Sequence, residues 1–136
     1  MQALLQGLVA QCQADATLTV LATSGPWLGA APETAAFPYY QIITKPAAAR
    51  HAFGGQRVQQ YDVTFAGFAE SAAAALAMVE AVGALFDGQA FPLTQGALIS
   101  AMQSAGPSVT HLPHDGPDND VYQASVDFTF LVYETM

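Results

Sequence analysis

The residues best suited to chemistry lie together near the C-terminal end of the chain. His111 and His114 are followed by Asp115, Asp118 and Asp120. Imidazole nitrogens and carboxylate oxygens bind divalent metal ions, so this segment could form a metal site. It lacks the glutamate and the correctly placed glycine of an EF-hand loop. Two prolines and a glycine interrupt it, and we therefore favour a solvent-exposed turn over a metal site.

The rest of the chain offers no catalytic constellation. No phosphate-binding glycine loop, dinucleotide fingerprint or nucleophile elbow is present, and the carboxylates are too scattered for a general acid and base pair. Cys12 is the single cysteine, which excludes an internal disulfide, and its apolar helical surroundings predict a buried, inert thiol. We predict no enzyme activity and no cofactor. The alternative of a small metal- or ligand-binding enzyme that uses His111, His114 and Asp115 stays open.

The composition points to contacts with other proteins. Three lysine and arginine residues against 11 acidic residues give a net charge of −8, which disfavours binding to nucleic-acid phosphates, acidic substrates and anionic membranes. Hydrophobic residues make up 52% of the chain and charged residues 10%, so one domain over residues 1–136 can bury a substantial core. Such a low charged fraction predicts that part of the surface meets another protein, although abundant alanine accounts for some of it. No signal peptide or spanning segment is recognisable, which predicts a cytoplasmic or intracellularly assembled protein.

All the lysine and arginine residues fall in one window. Lys45, Arg50 and Arg57 lie close together in the sequence, and His51 lies among them. One interpretation is an exposed segment that simply carries soluble residues. The other is an electrostatic interface with an acidic partner, a role that the chain's own Asp115, Asp118 and Asp120 could also fill.

The chain is organised around a strand followed by a helix. Residues 58–65 alternate apolar and polar, which places Tyr61, Val63 and Phe65 on one face of a strand. Ser71 is the predicted N-cap of the helix, and Asp87-Gly88 is the predicted stop. The predicted apolar stripe of this helix consists of Ala72, Ala75, Leu76, Val79, Val82, Gly83 and Phe86.

The remaining segments complete an α+β fold. We predict an antiparallel sheet of about four to five strands, with one main helix packed on one face and an N-terminal helix. The other predicted elements are a helix over Gln2–Gln13, a short helix capped by Asp15, an edge strand at Trp27-Leu28, a strand over Phe37–Thr44, an extended arm over Lys45–Gln56, a strand over Leu98–Gln103, a loop over Ser104–Asp120 and a strand over Val121–Glu134.

The order of these motifs resembles one known family. It comprises a leucine-rich N-terminal helix, Ala31-Pro32, Phe37-Pro38-Tyr39 entering a strand, the run Gln60–Phe65, and an alanine-rich helix that ends in Leu85-Phe86-Asp87-Gly88. In order and spacing the chain resembles, from about Gln2 to Glu134, the tail terminator (tail completion, head–tail joining) proteins of long-tailed bacteriophages.

The resemblance implies a structural role at the head-proximal end of the tail in a virion. Its implied partners are further copies of the chain in a hexameric ring, the tail tube protein and the head-closure or neck protein. The resemblance also implies that DNA passes through the lumen without specific binding, and that no catalysis, cofactor or membrane is involved. A neighbouring neck or minor tail protein is the alternative within the same class.

A ring that passes DNA also suggests which residues line the lumen. The predicted polar sheet face carries Gln60, Asp62, Thr64, Gln123, Ser125, Asp127 and Thr129. An acidic or neutral polar wall does not bind phosphates, so we predict that Asp62 and Asp127 face the lumen. The competing prediction is that this face is outer surface and the helix side turns inward.

Overall fold

The computed structural model describes residues 2–22, 24–31, 36–51, 56–112 and 121–135, with the backbone alone at 45–51, 56, 57 and 135. Its elements are α1 (Gln2–Ala14), α2 (Ala16–Leu21), β1 (Ser24–Leu28), β2 (Tyr39–His51), β3 (Gln56–Ala69), α3 (Ala72–Phe86), β4 (Ala97–Leu112) and β5 (Val121–Thr135). The strands form one five-stranded sheet in the order β1-β2-β3-β5-β4. Every pair is antiparallel except β1 with β2, which is parallel. The predicted α+β class is confirmed.

The helix boundaries follow from capping. The Ser71 hydroxyl accepts a hydrogen bond from the Ala74 N–H at 3.1 Å and begins α3 as predicted. The chain leaves α3 at Asp87, and Gly88 then adopts a φ of 69°, which glycine reaches without strain. Asp15 caps α2 by accepting from the Leu18 N–H at 3.0 Å. That helix ends at Leu21, consistent with the weak helix propensity of its β-branched residues.

The core lies between one face of the sheet and the three helices. Phe86 of α3 stacks on Phe65 with ring centroids 5.4 Å apart, and it meets Phe128 and Phe130 edge-on at 6.2 and 6.1 Å. All four phenylalanines are fully buried, which confirms the predicted contact between this helix and this strand face. Tyr61 and Val63 are buried on the same face.

The predicted stripe of α3 is right along most of its length and wrong at two positions. Ala72 is exposed, and Leu76 is only half-buried. Met78, which the predicted stripe omits, is fully buried instead. The reason is close packing, because a Cβ added to Gly67 of β3 would approach the Met78 Cε to 3.1 Å. Because Gly67 has no side chain, the facing strand leaves enough space for the Met78 side chain to be buried there.

Two strands extend further than the sequence predicts. Residues 45–51 are not a projecting arm, since β2 stays paired with β3 to the His51–Arg57 row. Residues 104–112 are not a loop, since β4 stays paired with β5 to the Leu112–Val121 row. Proline, glycine and alanine disfavour strands locally. Pairing with a neighbouring strand that is itself fixed in the sheet overrides that preference.

The first prediction concerns the cluster of buried phenylalanines, Phe65, Phe86, Phe128 and Phe130. Phe65→Ala or Phe128→Ala should lower the free energy of unfolding by about 3–5 kcal/mol, because each leaves a cavity among buried rings. Phe37, which is 36% exposed, is the matched control. Its alanine variant should lose less than about 1.5 kcal/mol, the range of one aromatic pair. Urea unfolding curves measure both, and a loss below about 1 kcal/mol at Phe65 would contradict the described core.

Candidate functional site

The sheet face that the described helices leave uncovered is the candidate functional surface. The helices pack on the side of Tyr61, Val63 and Phe65. Alternation along β3 and β5 directs the intervening residues to the other side. We call this surface the polar face, and it consists of Gln60, Asp62, Thr64, Gln123, Ser125, Asp127 and Thr129, all half-buried.

Two threonine–aspartate pairs form the centre of the polar face. Thr64 is opposite Asp127 in the register of β3 and β5, and its hydroxyl donates to the Asp127 Oδ1 at 2.7 Å. Asp62 is opposite Thr129, whose hydroxyl donates to the Asp62 Oδ1 at 3.2 Å. The predicted grouping of Asp62 with Asp127 on one face is therefore present. Each carboxylate is held by a neutral donor, so the pairs fix two negative charges in place without neutralising them.

An aromatic stack lies at one end of the same face. Phe37 stacks on Tyr39 with ring centroids 5.3 Å apart, and Tyr39 stacks on Phe68 of the neighbouring strand at 5.1 Å. Burial raises the pKa of Tyr39 above its ordinary value, which keeps the phenol neutral. Sequence reasoning missed this stack. Its signal was present, since Tyr39 and Phe68 both alternate away from the core residues of their strands.

The cationic residues of the sequence lie on the paired strands β2 and β3, with Lys45 near the middle of the ladder and Arg50, His51 and Arg57 at its end. Lys45 is paired with Asp62, Arg50 with Val58, and His51 with Arg57. We call the described residues 45–51, 56 and 57 the cationic hairpin. The backbone register places Lys45 in the same row as Asp62, so the predicted interface adjoins the predicted lumen surface.

Of the predicted metal-site residues near the C-terminus, the structure describes only His111. His111 belongs to β4, and its ring lies 4.9 Å from that of Tyr122, the residue opposite it. His114, Asp115, Asp118 and Asp120 lie outside the described residues. Within the described part of the chain, no group of three or more His, Cys, Asp or Glu side chains could hold a metal ion.

The register separates the described residues that flank the cationic and acidic segments. The described strands of the cationic hairpin reach the Gln56–Thr135 row, whereas the described ends of β4 and β5 meet at the Leu112–Val121 row. The two rows lie at opposite ends of the β3–β5 ladder, which spans 14 residues of β3 and so about 45 Å.

Cys12 is buried as predicted. Burial raises the pKa of its thiol from the ordinary value of 9.0 to about 12, and a hydrogen bond with Tyr40 lowers it in part. The reactive thiolate is therefore scarcely present at neutral pH. Burial raises the pKa of Tyr40 as well. The pair belongs to the packing of α1 on β2.

A cleft of about 590 Å³ opens between the start of α1 and the ends of β4 and β5. Its lining residues include one carboxylate, Glu134, which accepts a hydrogen bond from the Tyr61 hydroxyl at 2.7 Å. Among the described lining residues, one carboxylate and the two amides of Gln2 and Gln95 supply neither a nucleophile nor an acid–base pair. The helices of the described part of the chain include none long and apolar enough to cross a membrane.

Comparison with known proteins identifies a structural counterpart. No protein-family model matches the chain, and no curated protein matches its sequence. A solved structure described as the virion of a native gene transfer agent particle contains a similar chain, with a TM-score of 0.75 and 19% identity. The similarity covers 97% of this chain and 96% of that one, so the two share one fold from end to end.

Proposed function

We propose that this chain is a structural, non-enzymatic protein of a phage-type virion, and that it acts as a tail terminator. The observation that carries the proposal is the whole-length similarity to a chain of a gene transfer agent virion. In this role, copies of the chain form a hexameric ring at the head-proximal end of the tail. The ring stops growth of the tail tube, contacts the tube protein on one side and joins the head-closure or neck protein on the other.

The polar face supports a lumenal role in such a ring. Asp62 and Asp127 hold fixed negative charges on the side of the sheet that the described helices leave uncovered. A wall of that charge repels the phosphate backbone, so DNA crosses the ring without being retained. We therefore propose that the polar face lines the lumen and that the helices form the outer layer.

The cationic hairpin supports a contact between subunits or with the tail. It carries all the lysine and arginine residues of a molecule of net charge −8 on two paired strands, with Arg50 and Arg57 at the end of the ladder. We propose that Lys45, Arg50, His51 and Arg57 contact an acidic surface of a neighbouring copy or of the tail tube. The segment that carries Asp115, Asp118 and Asp120 is a candidate for that surface.

Imaging of labelled particles tests the proposed role. An epitope label on this chain should appear where tail meets head. Particles assembled without the chain should have tails of unregulated length that are detached from heads. Label at the distal tip of the tail would instead identify a minor tail protein, the alternative within this class. Purified particles that lack the chain altogether would contradict both assignments and favour the metal- or ligand-binding alternative at His111.

Charge reversal tests the cationic hairpin. Arg50→Glu combined with Arg57→Glu should leave the subunit folded by circular dichroism but prevent its incorporation into tails. An exposed ion pair contributes only about 0–1 kcal/mol, so the expected effect arises from repetition around the ring. Arg50→Lys with Arg57→Lys keeps the charge and should assemble normally. Normal tails from the glutamate variant would contradict this interface.

Charge inversion on the polar face tests whether this face lines the lumen of the ring. Asp62→Lys with Asp127→Lys should slow DNA ejection in a salt-sensitive manner, because lysines repeated by symmetry attract phosphates strongly at low salt. Asp62→Asn with Asp127→Asn is the control, since asparagine can still accept the threonine hydrogen bonds without carrying charge. Unchanged ejection from particles that contain the lysine variant would show that the polar face lies on the outside.

A further inference from the structure

Leu28 is an exposed apolar side chain at one edge of the sheet. It ends β1, the edge strand, and it is 53% exposed. Its register partner is Ile42, which is buried in the core, so Leu28 lies on the same side of the sheet as the helices. The next residue is Gly29, where an added Cβ would have nothing within 4 Å. The described residues therefore leave this corner of the sheet open.

An apolar groove lies on the same side of the sheet at the opposite edge. It has a volume of about 330 Å³ and lies between α3 and the bulged part of β4. Val79 and Val126 are buried beneath it, and the exposed Pro107 lines it from β4. Two exposed carboxylates, those of Glu80 and Asp87, also line it. The groove can therefore receive an apolar side chain, and it carries negative charge at its rim.

The register shows that Leu28 and the groove lie at the same level of the sheet. One row runs from Leu28 on β1 through Ile42 and Phe65 to Val126 on β5. On β4 this row meets the bulge that contains Pro107. Val126 and Pro107 both line the groove. The exposed leucine and the groove are therefore level with each other at opposite edges of one sheet.

The strand edge beside this groove is already occupied. The Gly88 N–H donates to the Ala101 carbonyl at 2.8 Å, and the Gln103 N–H donates to the Asp87 Oδ1 at 2.9 Å. The chain that follows α3 thus takes up backbone groups of β4 at this point. A neighbouring molecule would meet the Asp87 carboxylate here, so an interface at this edge depends on side chains rather than on strand pairing.

The charges of the two edges are complementary at a second level. Gln103, which donates to Asp87, shares a row with Thr44 of β2. The next residue of β2 is Lys45, where the cationic hairpin begins, and the pairing of β2 with β1 has ended before this level. Asp87 at the β4 edge is therefore almost level with Lys45 at the β2 edge, and their charges are opposite.

One rotation brings both pairs of features together. A rotation about a ring axis that lies along the strands carries the β1–β2 edge of one copy to the β4 edge of the next without a change of level. We propose that Leu28 of one copy packs into the groove between α3 and β4 of the next copy, with Lys45 beside Asp87, and this inference rests on the proposed ring. Such a heterologous contact joins unlike surfaces and can close into a ring. The opposite charges fix which edge meets which.

Chemical cross-linking in assembled particles tests the contact. Ala84 is exposed and lines the groove, whereas Cys12 is buried and does not compete. Leu28→Cys with Ala84→Cys, treated with a short bifunctional maleimide, should therefore give a ladder of linked species that ends in a closed ring. Particles that mix the two single variants should give linked dimers only.

A second cysteine pair on the same two edges provides the matched control. Gln95 is exposed and precedes β4, whose first residue lies in the row of Val58. Val58 is seven residues along β3 from Phe65, so this row is about 24 Å from the level of Leu28. Leu28→Cys with Gln95→Cys should therefore give no ladder. Equal yields from the two pairs would overturn the proposed contact, and so would dimers from Leu28→Cys alone, which would indicate contact between two β1 edges.

A charged substitution of Leu28 tests the contact without a cross-link. Leu28→Asp should reduce incorporation into particles by about tenfold or more, because a carboxylate would then be buried beside Glu80 and Asp87. Val20→Asp is the matched control, since Val20 of α2 is 84% exposed and lies outside the proposed contact. Both variants should remain folded by circular dichroism. A folded Leu28→Asp chain that incorporates normally would overturn the proposal.

The same particles separate this inference from the function on which it rests. Label at the head–tail junction without any cross-link between positions 28 and 84 would refute the edge contact and leave the terminator role standing. Cross-links without label at that junction would support the contact and refute the role. Particles that lack the chain would refute both.

Discussion

The pairing of β3 with β5 is the constraint on which the rest of the structure depends. The two strands run antiparallel from the Gln56–Thr135 row to the Ala69–Tyr122 row without a register shift. Because side chains alternate along both strands, this one register places Phe65 and Phe128 under α3 and places Thr64 beside Asp127 on the opposite face. A slip of one residue would exchange the two faces. The aromatic core and the polar face are thus two consequences of a single alignment.

Burial energy and surface chemistry are therefore separated across a single sheet. The helix side holds the four clustered phenylalanines and contributes most of the hydrophobic stabilisation, while the other side holds carboxylates fixed by threonine hydroxyls. The hydrogen bonds orient the carboxylates and retain their charge. Such a division suits a subunit of the proposed ring, because one sheet face packs the hydrophobic core and the other face can present charge to the lumen.

The sequence predicted much of this arrangement because its signals are local. Ser71 and Asp15 cap their helices through hydroxyl and carboxylate oxygens three residues from the donor, so their roles can be read from nearby residues. Alternation in β3 and β5 identified the core phenylalanines and grouped Asp62 with Asp127. The sequence failed where pairing partners decide the outcome. Residues 45–51 and 104–112 contain prolines, glycine and alanines, yet they extend as strands because β3 and β5 already provide a ladder.

By itself the sequence determined the α+β class, the helix caps, the buried face of the central strand and the acidic, lysine-poor composition. These features depend on spacing along the chain and on residue type. Only the tertiary structure decided how far β2 and β4 extend, that β1 pairs in parallel, and that Tyr39 stacks on Phe68. Each of these is a relation between residues distant in sequence, and strand order and register fix such relations while local pattern does not.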